Sequence, residues 1–346
     1  MSTSAPAPAR WWERLEEDGA MPRFRCGLCP RGCVLEPGQR GYCHVRMATA
    51  EGVVLETWGR CTGLAVDPIE KKPLYHFLPG SHVLSFGTLG CNLGCRFCQN
   101  WTSSRGRSSA GDLMVASPEQ VAATALAEGC RSVAFTYNEP LVFGEYALDV
   151  AAACHAAGLA TVAVTNGYVA PGAREEFFAG MDAANVDLKA FTDAFYRRMC
   201  GARLDPVLAT LRHIARETAV HLEVTNLLLP GENDDDEGLH GLCAFVAEDL
   251  GRAVPLHFSA FHPAHQIRDL PRTPLATLLR ARAIAREHGL SHVYLGNVLE
   301  PGASDTICPG CGALLVARAG YRTSAPGLRG GACARCGRSL PGRFTG

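Results

Sequence analysis

The sequence has no charge of one sign to spare and no long apolar run. Lysine and arginine number 33 against 34 aspartates and glutamates among 346 residues, a formal net charge of −1. That balance leaves no basic excess to hold a phosphate backbone or an anionic lipid surface, and no basic run marks a local nucleic-acid patch. No stretch approaches the eighteen or more apolar residues that a membrane span takes. Met1 to Ala9 lack the basic n-region and apolar core of a secretory signal and read as a short frayed tail. With 47% apolar and 19% charged residues, the chain is expected to fold around a substantial core, as one large barrel-type domain or two ordinary ones.

What the chain has in quantity is cysteine. Of sixteen, eleven fall into three compact sets with the x2 and x3 spacings of metal sites in a reducing compartment, rather than those of secreted disulfides. A cytosolic protein is expected. The remaining five, Cys61, Cys130, Cys154, Cys200 and Cys243, lie among apolar neighbours and read as packing residues.

The central set is Cys91, Cys95 and Cys98, a C-x3-C-x2-C loop directly after the apolar run 82–87. Three thiolates do not close a structural zinc site, which takes four ligands, and they leave one iron of a four-iron cluster open. Gly90 and Gly94 let the backbone turn tightly around an inorganic core. Upstream, Cys26, Cys29, Cys33 and Cys43 sit in a turn-rich stretch and can close around one ion. Zinc is the physical default for four thiolates, and an auxiliary iron–sulfur cluster is the alternative. Downstream, Cys308-x2-Cys311 and Cys333-x2-Cys336 bracket an alternating run, the pattern of a zinc ribbon. A module of that size buries too little surface to fold unaided, whereas a structural zinc contributes on the order of 10–16 kcal/mol.

Between these sets the chain alternates short β-rich runs with helical ones. Strands are predicted at 82–87, 132–137, 160–165, 184–188, 220–227, 255–259 and 292–296. Helices are predicted at 117–129 and 143–157, the first opened by Ser117, Pro118 and Gln120 and closed by Gly129. Repeated βα units imply a parallel sheet with right-handed crossovers, here a partial or full (β/α) barrel. Residues 10–24, with Trp11 and Trp12, are predicted to form a short helix. The expected division is 1–23 tail and helix, 24–80 cysteine-rich module, 81–303 barrel and 304–346 ribbon. Barrel chemistry gathers where strands end, and after these runs stand the three cysteines, Asn138-Glu139, Asn166, Asp187-Lys189, Asn233-Asp234, His262 and Asn297.

The C-x3-C-x2-C loop, with aromatic Phe97 before its last cysteine, resembles the radical S-adenosylmethionine superfamily. Along residues 82–300 the motifs look like the pyruvate formate-lyase activating enzymes: Glu139-Pro140, where Tyr137 and Asn138 depart from the two glycines of that family's Gly-Gly-Glu-Pro segment, Thr165-Asn166-Gly167-Tyr168, Asp187-Leu188-Lys189, Leu229-Pro230-Gly231 and His262. The resemblance implies a [4Fe–4S] cluster on Cys91, Cys95 and Cys98. It also implies S-adenosylmethionine bound near Phe97, Asn138, Glu139, Thr165, Asn166, Asp187, Lys189 and His262, and reductive cleavage to a 5′-deoxyadenosyl radical that abstracts hydrogen. Glu139 would read the ligand's amine and Lys189 its carboxylate. Val164 stands where the activating enzymes have an aspartate for a monovalent cation, so that site does not carry over. Over residues 24–346 the chain looks most like the AmmeMemoRadiSam subgroup, through Cys29-Pro-Arg-Gly-Cys33, the stretch Asp67 to His76, and Leu340-Pro-Gly-Arg-Phe344. That likeness implies a flavodoxin or ferredoxin as reductant and AMMECR-type and Memo-type proteins as partners. It leaves the substrate open between a protein, an RNA and a small molecule. A catalytically inactive, metal-stapled binding protein is the competing class, disfavoured because a scaffold has no need of Glu139, Asp187, Lys189 and His262.

Overall fold

The computed structural model describes residues 6–15, 21–105 and 113–344. The chain divides into two units, each discontinuous in sequence. The first draws on Met1–Val66, Val83–Gly94 and Cys98–Asp182, the second on Asp67–His82, Cys95–Phe97 and Ala183–Gly346.

In the first unit, strands β1 (His82–Phe86), β2 (Ser132–Phe135) and β3 (Ala160–Thr165) run parallel, with Ser132 opposite both Val83 and Ala160. All four residues of β2 are buried, as expected of a strand covered on both faces. The helix Pro118–Ala127 begins with the predicted capping box: the Ser117 side chain accepts from Gln120 N, and the Gln120 side chain accepts from Ser117 N. Gly129, at φ +65°, lies just past its end. The helix Gly144–Ala156 buries Tyr146, Ala147, Val150, Ala151 and Cys154.

The segment predicted as a helix at 10–24 is extended where it is described. Trp12–Leu15 pairs antiparallel with Arg23–Cys26, which pairs with Val34–Leu35. The Trp12 ring stands edge-on to Phe24 at 5.3 Å, in a small core with Ala9, Leu35, Ala48 and Val53. Trp11, at φ +54°, turns the chain just before Trp12, and pairing with Arg23–Cys26 takes up the main chain of 12–15 as a strand. Residues 16–20 lie outside the described residues.

In the second unit β4 (Ala183–Asp187), β5 (His221–Leu228), β6 (Leu256–Ala260) and β7 (Val293–Gly296) are parallel and adjacent in that order. The helices Asp205–Glu217, Asp236–Phe245 and Leu275–Glu287 alternate with them. The protein is therefore α/β, with the parallel strands that the βα repeat implies. The ribbon forms antiparallel pairs among Thr306–Ile307, Leu314–Ala319 and Arg322–Ser324, around Cys308, Leu315, Val316, Cys333 and Leu340.

Candidate active site

Each parallel strand ends in main-chain groups that the sheet no longer pairs, and polar side chains gather there to satisfy them. In the first unit β1 leads through Gly87 to Cys91. A Cβ on Gly87 would lie 2.4 Å from Thr136 O and 2.6 Å from Asn138 Oδ1, so only glycine admits this approach. Asn138 pins the segment: its Oδ1 accepts from Thr88 N at 2.8 Å, and its Nδ2 donates to Leu89 O and Gly90 O, both at 2.9 Å. The residue before it, Tyr137, has φ +69°, a sparsely populated conformation for a bulky side chain.

Glu139 is 3% exposed. Its Oε1 accepts from Thr165 Oγ1 at 2.6 Å and Leu141 N at 3.2 Å, and its Oε2 accepts from Asn166 N at 2.8 Å. The Asn166 side chain then turns toward the loop, its Nδ2 donating to Asn92 Oδ1 at 2.9 Å and lying 3.7 Å from Cys91 Sγ. Leu93 N also donates to that sulfur, at 3.4 Å. Asn92 closes the circuit by donating to Tyr168 O at 2.7 Å. The structure thus brings Asn138, Glu139, Thr165 and Asn166 together around Cys91. Cys98, in the same unit, lies 3.9 Å from Ser104 Oγ.

In the second unit Lys189 Nζ is 3.1 Å from Asp187 Oδ2. Burial opposes the ammonium, but the carboxylate of Asp187 and the thiols of Cys95 and Cys200 outweigh it and hold the Lys189 pKa well above its usual value. Asn233 supports this corner by donating to Lys189 O at 2.7 Å and accepting from Leu229 N. Cys95 meets Cys200; their hydrogen bond, with burial, raises the Cys95 thiol well above the ordinary range, while Lys189 acts against that rise. Cys200 is therefore buried but not only packing, whereas Cys61, Cys130, Cys154 and Cys243 are buried. Phe97 packs its ring 5.9 Å from Phe195, and His262 is exposed on the residue after Phe261.

The two outer cysteine sets differ. Among the described residues, the ligand atoms of Cys308, Cys311, Cys333 and Cys336 lie within 4.8 Å of one another, the arrangement a tetrahedral ion takes. Burial works against ionisation of Cys308, but main-chain N–H groups of Gly310 and Cys311 bring it down to about 6, toward the thiolate a metal binds. Cys26, Cys29, Cys33 and Cys43 share one turn-rich segment, but among the described residues their sulfurs do not converge to that distance as a set; burial, with the other three sulfurs, pushes the Cys29 thiol up to about 12.

Sequence reasoning did not find a buried network in the second unit. Glu223, on β5, is fully buried and accepts from His257 Nε2 at 2.6 Å, His221 Nε2 at 3.0 Å, and the main-chain N–H of Tyr75 and His76. His76 donates from Nδ1 to Pro341 O at 2.9 Å and accepts at Nε2 from Tyr294 OH at 2.6 Å. Period-2 placement of polar residues inside a strand was the available signal, and it does not reveal which partner arrives from elsewhere in the chain. No helix among the described residues is long and apolar enough to cross a membrane.

Residues 86–243 match the model of the Radical SAM superfamily. The chain is 40% identical over 312 residues to the uncharacterised protein MJ0808 of Methanocaldococcus jannaschii, covering 90% of this chain and 91% of that protein. It is 24% identical over 189 residues to the pyruvate formate-lyase 1-activating enzyme of Escherichia coli K12, 53% of this chain and 75% of that enzyme. Among solved structures, a radical SAM methyltransferase from Sphaerobacter thermophilus superposes with TM-score 0.51 at 16% identity, covering 89% of this chain and 81% of that one. At that identity the likeness is one of fold alone.

Proposed function

Because the chain belongs to the radical SAM superfamily, whose members use a [4Fe–4S] cluster, S-adenosylmethionine and a reductant, we propose that it cleaves S-adenosylmethionine reductively and uses the product to abstract hydrogen from a polypeptide substrate. Cys91, Cys95 and Cys98 would hold the cluster, which would supply the electron for reductive cleavage of S-adenosylmethionine. The chain's residues fit this group: all three cysteines are partly exposed, and two N–H donors already face the sulfur of Cys91, as suits a cluster thiolate. Cys95, whose thiol is held well above the ordinary range without a metal, would give up its proton to serve as a ligand.

The protein's own part is binding and orientation. Glu139 is fixed by three hydrogen bonds and presents a carboxylate for the amine of the methionine moiety. Lys189, kept charged by Asp187, presents an ammonium for its carboxylate. Asn166 orients Cys91, and Asn138 fixes the strand end that leads to it. The ribbon cysteines hold zinc. The polypeptide substrate rests on the likeness to the activating enzymes, with AMMECR-type and Memo-type proteins as candidates and a flavodoxin or ferredoxin as electron donor, in the cytosol.

The observation that carries the reading is the joining of Cys91 to Glu139 through Asn166. The test is anaerobic reconstitution with iron and sulfide, followed by assay for 5′-deoxyadenosine with and without each candidate protein. Cys95→Ala is expected to abolish product while leaving zinc content unchanged. Full turnover in that variant would overturn the assignment.

A further inference from the structure

The ribbon holds an uneven share of the chain's charge. Six of the 33 lysines and arginines fall in 304–346, but only one of the 34 acidic residues does, so this module is net positive and the remainder net negative. The six are all arginines, and two are engaged: Arg318 is buried beside Glu70, and Arg343 lies over the Phe77 ring. The single acid, Asp305, accepts from Arg318 N at 2.7 Å. Arg322, Arg329, Arg335 and Arg338 are exposed, and among the described residues none of their guanidiniums forms an ion pair or a hydrogen bond. Elsewhere exposed arginines do close such pairs, as Arg25 with Glu13 and Arg198 with Glu232.

Three of the four stand on one folded loop, the second knuckle. Arg329 pairs with Ala332 at the hairpin next to Cys333. Arg335 lies between Cys333 and Cys336, and Arg338 O accepts from Cys333 N at 2.9 Å. The Arg338 side chain crosses to the first knuckle, its Cδ 3.1 Å from the Cβ position of Gly310. Residues 334–339 are exposed without a break.

This loop belongs to the end of the strands opposite Lys189. Arg318 and Pro341 of the ribbon bind Tyr75 and His76. Those two in turn contact Glu223, His257 and Tyr294, each among the first three residues of β5, β6 or β7. Lys189 instead follows the last residue of β4. β5 runs eight residues, and at about 3.3 Å per residue its two ends lie about 26 Å apart. A small molecule does not span that distance, whereas a polypeptide does.

We propose that Arg329, Arg335 and Arg338 form a docking surface for a carboxylate-rich segment of the polypeptide substrate, remote from the residue that reacts. Guanidiniums take carboxylates and phosphates alike as bidentate partners. Carboxylates are favoured here because no ring stands among residues 334–339 for a base to stack on, and the negative balance of the other residues repels a long polyanion. That the partner is the substrate rests on the radical reading above; the surface itself does not.

The probe is a fluorescent peptide rich in aspartate and glutamate, titrated with the full chain and followed by anisotropy. The parent is expected to bind it, more weakly as salt is added, and to ignore the asparagine and glutamine version. Changing Arg329→Gln, Arg335→Gln and Arg338→Gln together should weaken binding at least roughly tenfold with zinc content retained. A variant of the same net charge, with exposed Arg14, Arg131 and Arg286 changed to glutamine instead, should bind as the parent does. Arg335→Gln alone decides the matter if the triple variant unfolds, and should weaken binding at least roughly twofold. No binding by the parent, or equal weakening in both triple variants, overturns the surface. Tighter binding of an oligouridylate of the same charge overturns the choice of a polypeptide. If the reconstituted chain makes no 5′-deoxyadenosine while the peptide keeps its dependence on these arginines, the radical reading fails and the docking surface stands; the reverse result strikes the docking surface alone.

Discussion

Glu139 is held so fully by its own chain that binding and stability become linked at one residue. Its carboxylate accepts from Thr165, Leu141 and Asn166 within the buried strand-end cluster. Glu139→Gln replaces one acceptor oxygen with an N–H₂ facing a donor, an unsatisfied contact that costs about 1–3 kcal/mol. The variant is expected to lose at least roughly tenfold in S-adenosylmethionine affinity, about 1.4 kcal/mol, and to melt lower without ligand as well. Lys189→Met should lose comparable affinity with less effect on melting, because its partner Asp187 is 36% exposed and water takes the place of the ammonium. Calorimetry paired with thermal melts separates the two. Equal loss of stability in both variants, with affinity retained, would show that neither group reads the ligand.

At the scale of elements, the histidines beneath β5 to β7 set how the protein answers acid. Burial lowers His76 from 6.5 to about 3 and His292 to about 4, and His292 Nε2 has no hydrogen-bond partner. Both are folded as neutral rings. As pH falls below about 6.5 the unfolded chain takes up protons that the folded one refuses, so stability declines until the folded values near 3 to 4 are reached. Burial works against the Glu223 carboxylate, yet hydrogen bonds from His221 and His257 hold it well below 4.5, which adds a loss of the same sign at lower pH. Urea melts from pH 7.5 to 5 should show little change above about pH 6.5 and, below it, stability falling toward a limiting slope of about 1.4 kcal/mol per pH unit for each group that titrates only on unfolding. His76→Asn should flatten that slope, and an unaltered slope would mean His76 takes up its proton in the folded state.

For the whole molecule, the ribbon is less separable than its sequence pattern suggests. It lies in the same unit as β4 to β7 and is tied to the strap at 67–78 by buried groups. Arg318 donates to Tyr75 O at 2.7 Å and stacks on that ring at 4.2 Å; Thr323 donates to Glu70; Leu78 N donates to Arg343 O. Removing residues 304–346 would uncover His76, Tyr75 and Glu70 and leave their polar atoms unpaired. The truncated chain is therefore expected to be insoluble or to melt well below the full one, rather than to persist as an active barrel. Chelation of the zinc proposed for the ribbon cysteines, worth on the order of 10–16 kcal/mol to such a module, should lower the melting temperature of the second unit in the same way. Retention of full S-adenosylmethionine cleavage by a soluble truncation would overturn this.

The sequence by itself determined the βα alternation, the helix start at Ser117 and the three cysteine sets, because periodicity, capping and x2 or x3 spacing are local properties of neighbouring residues. It also placed Asn138, Glu139, Asn166, Asp187 and Lys189 at strand ends, since phase along a repeat is legible in one dimension. Only the tertiary structure decided that 12–15 is a strand, because Trp12 packs on Phe24 across a pairing with Arg23–Cys26. It alone showed that Asn138 serves the main chain of residues 88–90 and that Glu139 is bound by Thr165 and Asn166. The same holds for Tyr42, whose ring meets the guanidiniums of Arg31 and Arg105, groups far apart in the chain. Those facts concern which distant groups share a hydrogen bond or a ring face, and chain order carries no record of such distances until the fold closes them.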